Sequence, residues 1–501
     1  MKIRRESTRY ASIPAAAALL GSLVAAPSAM AVDITNFNLA DLVISTVSSY
    51  NGGGLDTAAP IVLQAFNLGT NGTSVTSAGT FSLGQNTSGS NLAISGEYGS
   101  ASEGVLQRSV DGRYLTIMGY GVNAATFNSA ALATYGTAAL GQTTSLTTAN
   151  QTGTPVTTVA RVVALIGADG SVDTSTAVTG VFNQNNPRSV ATVDGSSFYI
   201  SGQGATKTDP SQGVFYTTLG ASTATTIDNS TDTRAVSIFN TGSGNTLYAS
   251  RDRSPGSGVI KNSSNVSSLT NASGALPTSA TGLVATHITP PASPYSLGGN
   301  NSSINLTQAT ANGVNNARIG SFVYLSQEQY FFASPTVMYV ADSGQPKNGT
   351  AGSAALGEGG LQKWILANGS WNLAYDLVNG LNLVNNNTAN ANTPNAPGVT
   401  GLQGLTGKVT NGQVQLFATS FGLNELSQSF LYGINDTLSA TTMSQVGSEQ
   451  FTTLYTADSG TSIRGVALAP AMGPVPEPET YALMLGGLCA LGFMERRCKT
   501  L

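Results

Sequence analysis

Charge is what this sequence has least of. Only 9% of its 501 residues are Asp, Glu, Lys or Arg, against about 25% in an average soluble domain. Solubility therefore rests on hydroxyls and amides. Disorder does not follow, because disordered chains pair low hydrophobicity with high net charge, and here the hydrophobic fraction is 41% at a formal net charge of −4. With the four cations before Val32 and the three after Pro474 set aside, 14 Lys and Arg face 21 Asp and Glu. Such a balance argues against a nucleic-acid partner.

Histidine and cysteine are nearly missing as well. The single histidine, His287, together with the absence of any G-x-S-x-G elbow, argues against a Ser-His-Asp hydrolase. One imidazole also cannot build a histidine-based zinc or iron site. Both cysteines, Cys489 and Cys498, lie near the C-terminus, so the body has neither disulfides nor thiolate ligands. Helical periodicity is absent beyond a turn or two, and the chain reads instead as short apolar or alternating runs broken by Gly, Asn, Asp and Ser. The expected class is all-β.

What is present is clearest at the two ends. Lys2, Arg4, Arg5 and Arg9 precede an apolar run from Ala15 to Ala26, and Ala29-Met30-Ala31 supplies the small residues that signal peptidase reads. Cleavage after Ala31 is expected, since the run is shorter than the roughly 20 residues of a spanning helix. Arg4-Arg5 lacks the apolar continuation of a twin-arginine signal, so general secretion is the expected route.

At the other end Val475-Pro476-Glu477-Pro478-Glu479 leads into the apolar stretch Thr480–Met494 and then Arg496-Arg497-Cys498-Lys499. Pro-Glu-Pro cannot continue a strand or helix, the apolar stretch can enter a bilayer, and the cations stay cytoplasmic. This arrangement closely resembles the PEP-CTERM sorting signal. The resemblance implies recognition of Pro476-Glu477-Pro478 by an exosortase, with anchoring by the C-terminal segment until it is processed, and release or attachment at the cell surface afterwards. It covers about 27 residues and gives a destination, not an activity.

Between these ends, residues 32–471 read as one body. Hairpins are expected at Asp111-Gly112 before Arg113–Ile117, at Asp169-Gly170 after Val162–Ile166, and at Asn368-Gly369 between Trp364 and Trp371, because these dipeptides supply the positive φ of tight turns. A unit recurs in which an apolar strand and a polar turn precede an aromatic strand ending in small residues. Its copies are Gly104–Leu106 with Tyr114–Ile117, Val190–Val193 with Phe198–Gly202, Val236–Phe239 with Leu247–Ser250, Phe322–Leu325 with Val337–Asp342, and Leu405–Val409 with Val414–Thr419.

Two more candidate strands follow each copy, giving the four-stranded unit of a β-propeller blade. Ile463–Leu468 has nothing after it except the tail, whereas Leu42–Ser45, Ile61–Gln64 and Thr80–Leu83 lack an inner partner. Joining them closes a ring and removes exposed edges. Six blades are expected first and seven second; a pair of sandwiches or a β-helix shares the composition. The body has the general look of propeller-type proteins that carry this tail. Polar insertions at Ala125–Thr158, Leu269–Asn316 and Asn379–Thr400 are expected on the surface, and mobile in part.

Candidate chemistry is sparse. Arg188, Arg234 and Arg464 hold similar places at the start of proposed inner strands, which would point them at one mouth of the channel, where guanidiniums can grip carboxylates or sulfates of an acidic polysaccharide. They can equally pair with Asp194 or Asp232. Arg108 is out of register and expected to be external. Asp169 with Asp173, and Asp228 with Asp232, have the oxygen spacing that opens a calcium loop, but lack the glycine and glutamate of an EF-hand. Apart from this calcium candidate no cofactor is expected.

The carboxylates Glu97, Glu103, Asp342, Glu358 and Asp376 could converge into a pair for glycan cleavage, and Trp364 or Trp371 could stack on a sugar or lie in the core. The expected function is a non-enzymatic binding or structural role in the envelope or matrix of a Gram-negative bacterium. Its link to exopolysaccharide comes from the family resemblance. The alternative is a secreted carboxylate-dependent hydrolase or lyase, which buried acids with raised pKa in one funnel would favour.

Overall fold

The computed structural model describes residues 33–472 apart from internal segments, the longest being 252–264, 306–321, 344–358 and 384–398. The expected signal segment and the expected sorting tail, with Ala29, Ala31, Val475, Pro476, Glu477, Pro478, Arg496 and Arg497, lie outside the described residues. Among the described residues no helix is long and apolar enough to cross a membrane.

The described body is all-β, and its sheets are small antiparallel meanders in a propeller-like arrangement. Four stand alone, each of four strands consecutive in the chain. They begin at Pro187–Ala191, Val236–Asn240, Gln327–Ser334 and Val399–Thr410 and end at Thr225–Asp228, Val284–Thr289, Ser370–Leu377 and Thr452–Thr456. A nine-stranded sheet holds the rest of the ordered core. In it Thr461–Leu468, from the C-terminal end of the body, pairs antiparallel with Leu42–Ser48, and Ala58–Leu68 and Val75–Ser82 follow outward. Gln107–Arg108, Tyr114–Tyr120, Arg161–Gly167 and Val172–Val178 form its other run, with Ser95–Glu97 bridging the two.

Strands such as Arg161–Gly167 and Pro187–Ala191 are buried along their whole length, and their polar side chains Arg161, Arg188 and Ser189 are hydrogen-bonded, as buried polar groups must be. The cores between sheets follow one another. Ile117 and Val162 pack with Leu63, Val163 with Val190 and Phe198, Tyr199 with Val236 and Leu247, and Tyr248 with Phe332. Tyr339 packs with Leu402 and Leu416, and Phe417 with Ile44 and Val466, which returns to the first sheet. Each large side chain buried here contributes roughly 1.5–3 kcal/mol. The innermost strands approach so closely that a Cβ at Gly465 would stand 2.2 Å from the Leu106 nitrogen.

The structure departs from the expected strands in three places. Phe322–Tyr324 belongs to a separate three-stranded sheet, and Gln327–Ser334 is the partner of Val337–Asp342; its Tyr330-Phe331-Phe332 run turns at Pro335-Thr336, a turn without the Asx-Gly signature. Val284–Thr289, inside one expected insertion, is a fourth strand pairing with Asn265–Thr270. The insertion after Ala124 is partly core: it carries two short helices, Ala124–Ser129 and Leu132–Tyr135, and buries Leu140, Thr143, Thr144 and Ser145.

Candidate functional site

Six chain segments meet around one central cavity of about 160 Å³: residues 106–108, 191–192, 237–239, 329–331, 405–407 and 466–468. Arg108 lines this cavity, half-buried, with its Nε donating to the Gly112 carbonyl at 3.0 Å, so it is not external. Where the inner strands begin, a wider funnel of about 620 Å³ opens, lined among others by Asp56, Glu97, Asn186, Arg188, Arg234 and Glu425.

Arg188 and Arg234 both line this funnel. Arg188 is 2% exposed, with Nη1 on Asp232 Oδ2 at 3.1 Å and Nη2 donating to Gln203 Oε1. Burial and the charge of Arg234 lower its proton affinity. Arg234 Nε lies 3.7 Å from Glu328 Oε2. Arg464 is not among the residues lining the funnel; it is 5% exposed, and its Nε and Nη2 have no hydrogen-bond partner. The charges that act on it are Glu103, Glu425 and Glu97.

Two glutamates from the Ser95–Gln107 stretch share the site. The Glu97 backbone N–H donates to Glu103 Oε1 at 2.5 Å, and the Asn186 amide nitrogen lies 3.3 Å from Glu97 Oε2 and 3.2 Å from Glu103 Oε2. Gly141 N–H donates to Glu97 Oε1 at 2.7 Å, and Tyr120 O–H to Glu103 Oε2 at 2.9 Å. Burial, then the charge of Glu103, pushes the Glu97 carboxyl up to about 8, and burial pushes Glu103 up to about 7. A carboxyl in this range can give or take a proton near neutrality. Behind them Arg161, fully buried, stacks 4.7 Å over the Tyr120 ring and donates to the carbonyls of Thr143, Val159, Phe182 and Asn185.

The remaining candidates lie elsewhere. Asp169 and Asp173 each accept from the backbone and hydroxyl of the serine two residues on. Asp228 pairs with Arg251 and Asp232 with Arg188. The calcium spacing is thus taken up by turns and ion pairs, and among the described residues no three acidic, His or Cys side chains gather to hold a metal. Trp364 is fully buried and Trp371 nearly so, both in one core cluster, so neither offers a sugar platform. Asp342 accepts from Gln362 at 2.6 Å, and Asp376 stands opposite Gln362 in register. Glu358 lies outside the described residues, as does the side chain of His287.

Sequence reasoning missed Asp56, Gly141, Asn186, Tyr120 and Arg161. Arg161 had a signal, a lone cation opening the apolar run Val162–Ile166. Gly141 had none, since its role depends on an insertion folding back over Glu97.

No family model and no curated protein matches this chain. Among solved structures, a Bacteroides fragilis protein assigned as a 6-phosphogluconolactonase aligns at 11% identity and a TM-score of 0.29, over 76% of this chain and 91% of that one. A chain of the S. cerevisiae dbp5–nup159–gle1 assembly aligns at 7% and 0.31, over 81% and 82%. The Bombyx mori GH32 β-fructofuranosidase BmSUC1 aligns at 10% and 0.27, over 68% and 64%. Similarity this low says nothing of activity, and the description of the fold above rests on the strand pairings.

Proposed function

We propose that this chain is an exported envelope protein of a Gram-negative bacterium whose six-bladed propeller body binds a glycan in its funnel. The blade count rests on six inner segments around one cavity, with Thr461–Leu468 as the inner strand of the blade completed by Leu42–Ser82. Export rests on the signal segment and on the tail that resembles an exosortase substrate. Signal peptidase and the exosortase are then its processing partners, with exopolysaccharide as the outer-surface partner.

The observation that carries glycan binding is the funnel itself. Amides of Gln142, Gln184, Asn185, Asn186 and Gln203 join Arg188 and Arg234 on a concave wall. Amide and guanidinium groups match the paired acceptors of sugar hydroxyls and uronate carboxylates. Because Arg188 is already paired, the wall offers mixed donors and acceptors rather than a bare cationic ring. A glycan array with the purified chain tests this: hydroxyl-rich polysaccharides are expected to bind, and Arg188→Gln with Arg234→Gln to abolish the signal. Binding that is unchanged in that double variant sinks the funnel as the site.

A further inference from the structure

We propose that Lys363 and Asp436 become joined by an isopeptide bond that the folded chain makes by itself, with the Glu449 carboxyl moving the protons. The proposal stands apart from the glycan-binding reading, since none of the three side chains lines the funnel.

The reacting groups are already in contact. Lys363 lies on Gly360–Ala367 and Asp436 on Phe430–Thr437, strands of two successive four-stranded sheets. Lys363 Nζ stands 3.0 Å from Asp436 Oδ2, and neither side chain has any exposed surface. A lysine is almost never buried so fully without a partner. In register, Tyr339, Lys363 and Tyr375 stand side by side on three adjacent strands. The two tyrosine rings flank the ammonium, with centroids 5.5 and 5.2 Å from Nζ. Strands that hold an amine against a carboxyl give the pair an effective concentration that free reactants in water lack.

Amide formation needs a neutral amine, a polarised carboxyl and an acid beside them. Burial lowers the proton affinity of Lys363, because a site away from water disfavours the ammonium. The Tyr339 and Tyr375 hydroxyls both donate to the Asp436 carboxylate, Tyr375 at 2.7 Å, where negative charge gathers as an amine adds. Glu449 supplies the acid. Its Oε1 accepts the Thr437 N–H at 3.3 Å, its Oε2 is buried without a donor, and its side chain is within hydrogen-bonding reach of Asp436. Two carboxyl groups share a hydrogen bond only when one of them keeps its proton. Burial, and then the bond to Asp436, push Glu449 up to about 8, so Glu449 is the one that keeps it.

In the reaction, the Lys363 ammonium gives a proton to Asp436, and its nitrogen lone pair bonds to Asp436 Cγ. One Cγ–O bond then breaks as the hydroxyl on Cγ takes the Glu449 proton and departs as water. Glu449 recovers a proton from the nitrogen. An ammonium and a carboxylate thus become one amide and one water, Glu449 is regenerated, and no other reactant is consumed. The Thr437 and Leu438 carbonyls, 2.8 and 3.1 Å from Nζ, favour the charged form. Closure is therefore slow beside folding, and freshly folded chain carries the ion pair. The product ties two sheets covalently in a body that has no cysteine.

The test is a tryptic peptide map of the purified full chain, taken at intervals while the chain is held folded at neutral pH. A branched species is expected to accumulate, joining the peptide with Lys363 to the peptide with Asp436, one water lighter than the two together and uncut after Lys363. Glu449→Gln, shown to be folded by its melting curve, is expected to slow that accumulation about 100-fold, and Lys363→Arg to abolish it. Linear peptides alone from the unvaried chain overturn the proposal, and that result depends on no variant folding. Water loss elsewhere, with trypsin still cutting after Lys363, overturns it as well. A branched species that forms as fast in Glu449→Gln removes Glu449 from the step.

Discussion

Lys363 Nζ lies 3.0 Å from Asp436 Oδ2 across two neighbouring sheets, and neither side chain reaches solvent. Tyr375 donates to the same carboxylate at 2.7 Å, while the ammonium also donates to the Thr437 and Leu438 carbonyls. Removing one partner strands the other as a buried charge, which costs about 3–5 kcal/mol. Lys363→Met is therefore expected to lower the denaturant midpoint sharply, and pairing it with Asp436→Leu to recover much of the loss. If the double variant is no more stable than the single one in urea titrations, the ion pair is not what joins these sheets.

Ser45 ties the two ends of the body to its second run of strands. Its hydroxyl donates to the Gly104 carbonyl at 2.7 Å and accepts the Gly465 N–H at 2.8 Å, so one side chain serves three inner segments. Ser45→Ala leaves a buried carbonyl and a buried N–H unpaired, at about 1–3 kcal/mol. Chemical denaturation should show that loss with the slope unchanged; an effect near zero means that water replaces the hydroxyl.

The pairing that Ser45 supports was legible in the sequence, since Ile463–Leu468 had no partner after it and Leu42–Ser45 none before it. The Asp-Gly and Asn-Gly hairpins were legible for the same local reason: positive φ demands particular residues, and Asn368 and Gly369 adopt φ of 52° and 75°. The strand Gln327–Ser334 was not, because its turn at Pro335-Thr336 lacks that signature. The site was legible only in part. Inner-strand register led to Arg188 and Arg234, and Glu97 and Glu103 stood among five candidate carboxylates, but the Asp56–Leu140 and Glu97–Gly141 contacts join segments 84 and 44 residues apart. No spacing rule reaches that far.

Acidity should stabilise this body. Glu97 and Glu103 rise in the folded chain to about 8 and about 7 from an ordinary 4.5, and Glu449, half-buried beside Asp436, rises to about 8. The folded state then keeps protons that the unfolded chain has released, so the contribution of these three groups to stability is full below about pH 4.5 and is lost progressively up to about pH 8. Thermal midpoints are expected to be higher at about pH 5 than at about pH 8.5, with Glu97→Gln flattening the difference. A midpoint that climbs with pH across that window would show these carboxyl groups to be ionised when folded.

The tail makes the last prediction. Thr480–Met494 is shorter than a span of about 20 apolar residues, and in the proposed sorting Arg496 and Arg497 would keep its end on the cytoplasmic side. In the proposed sorting, such a segment would be a pause in export that cleavage near Pro476-Glu477-Pro478 would end. Mature protein from the native host is expected to begin at Val32 and to lack the tail, whereas replacing Pro476, Glu477 and Pro478 by alanine should leave a larger species in the membrane fraction. Intact-mass measurement and fractionation decide the matter: an unprocessed C-terminus on released protein, in cells that contain an exosortase, removes the sorting reading while leaving glycan binding in the funnel open to its own test.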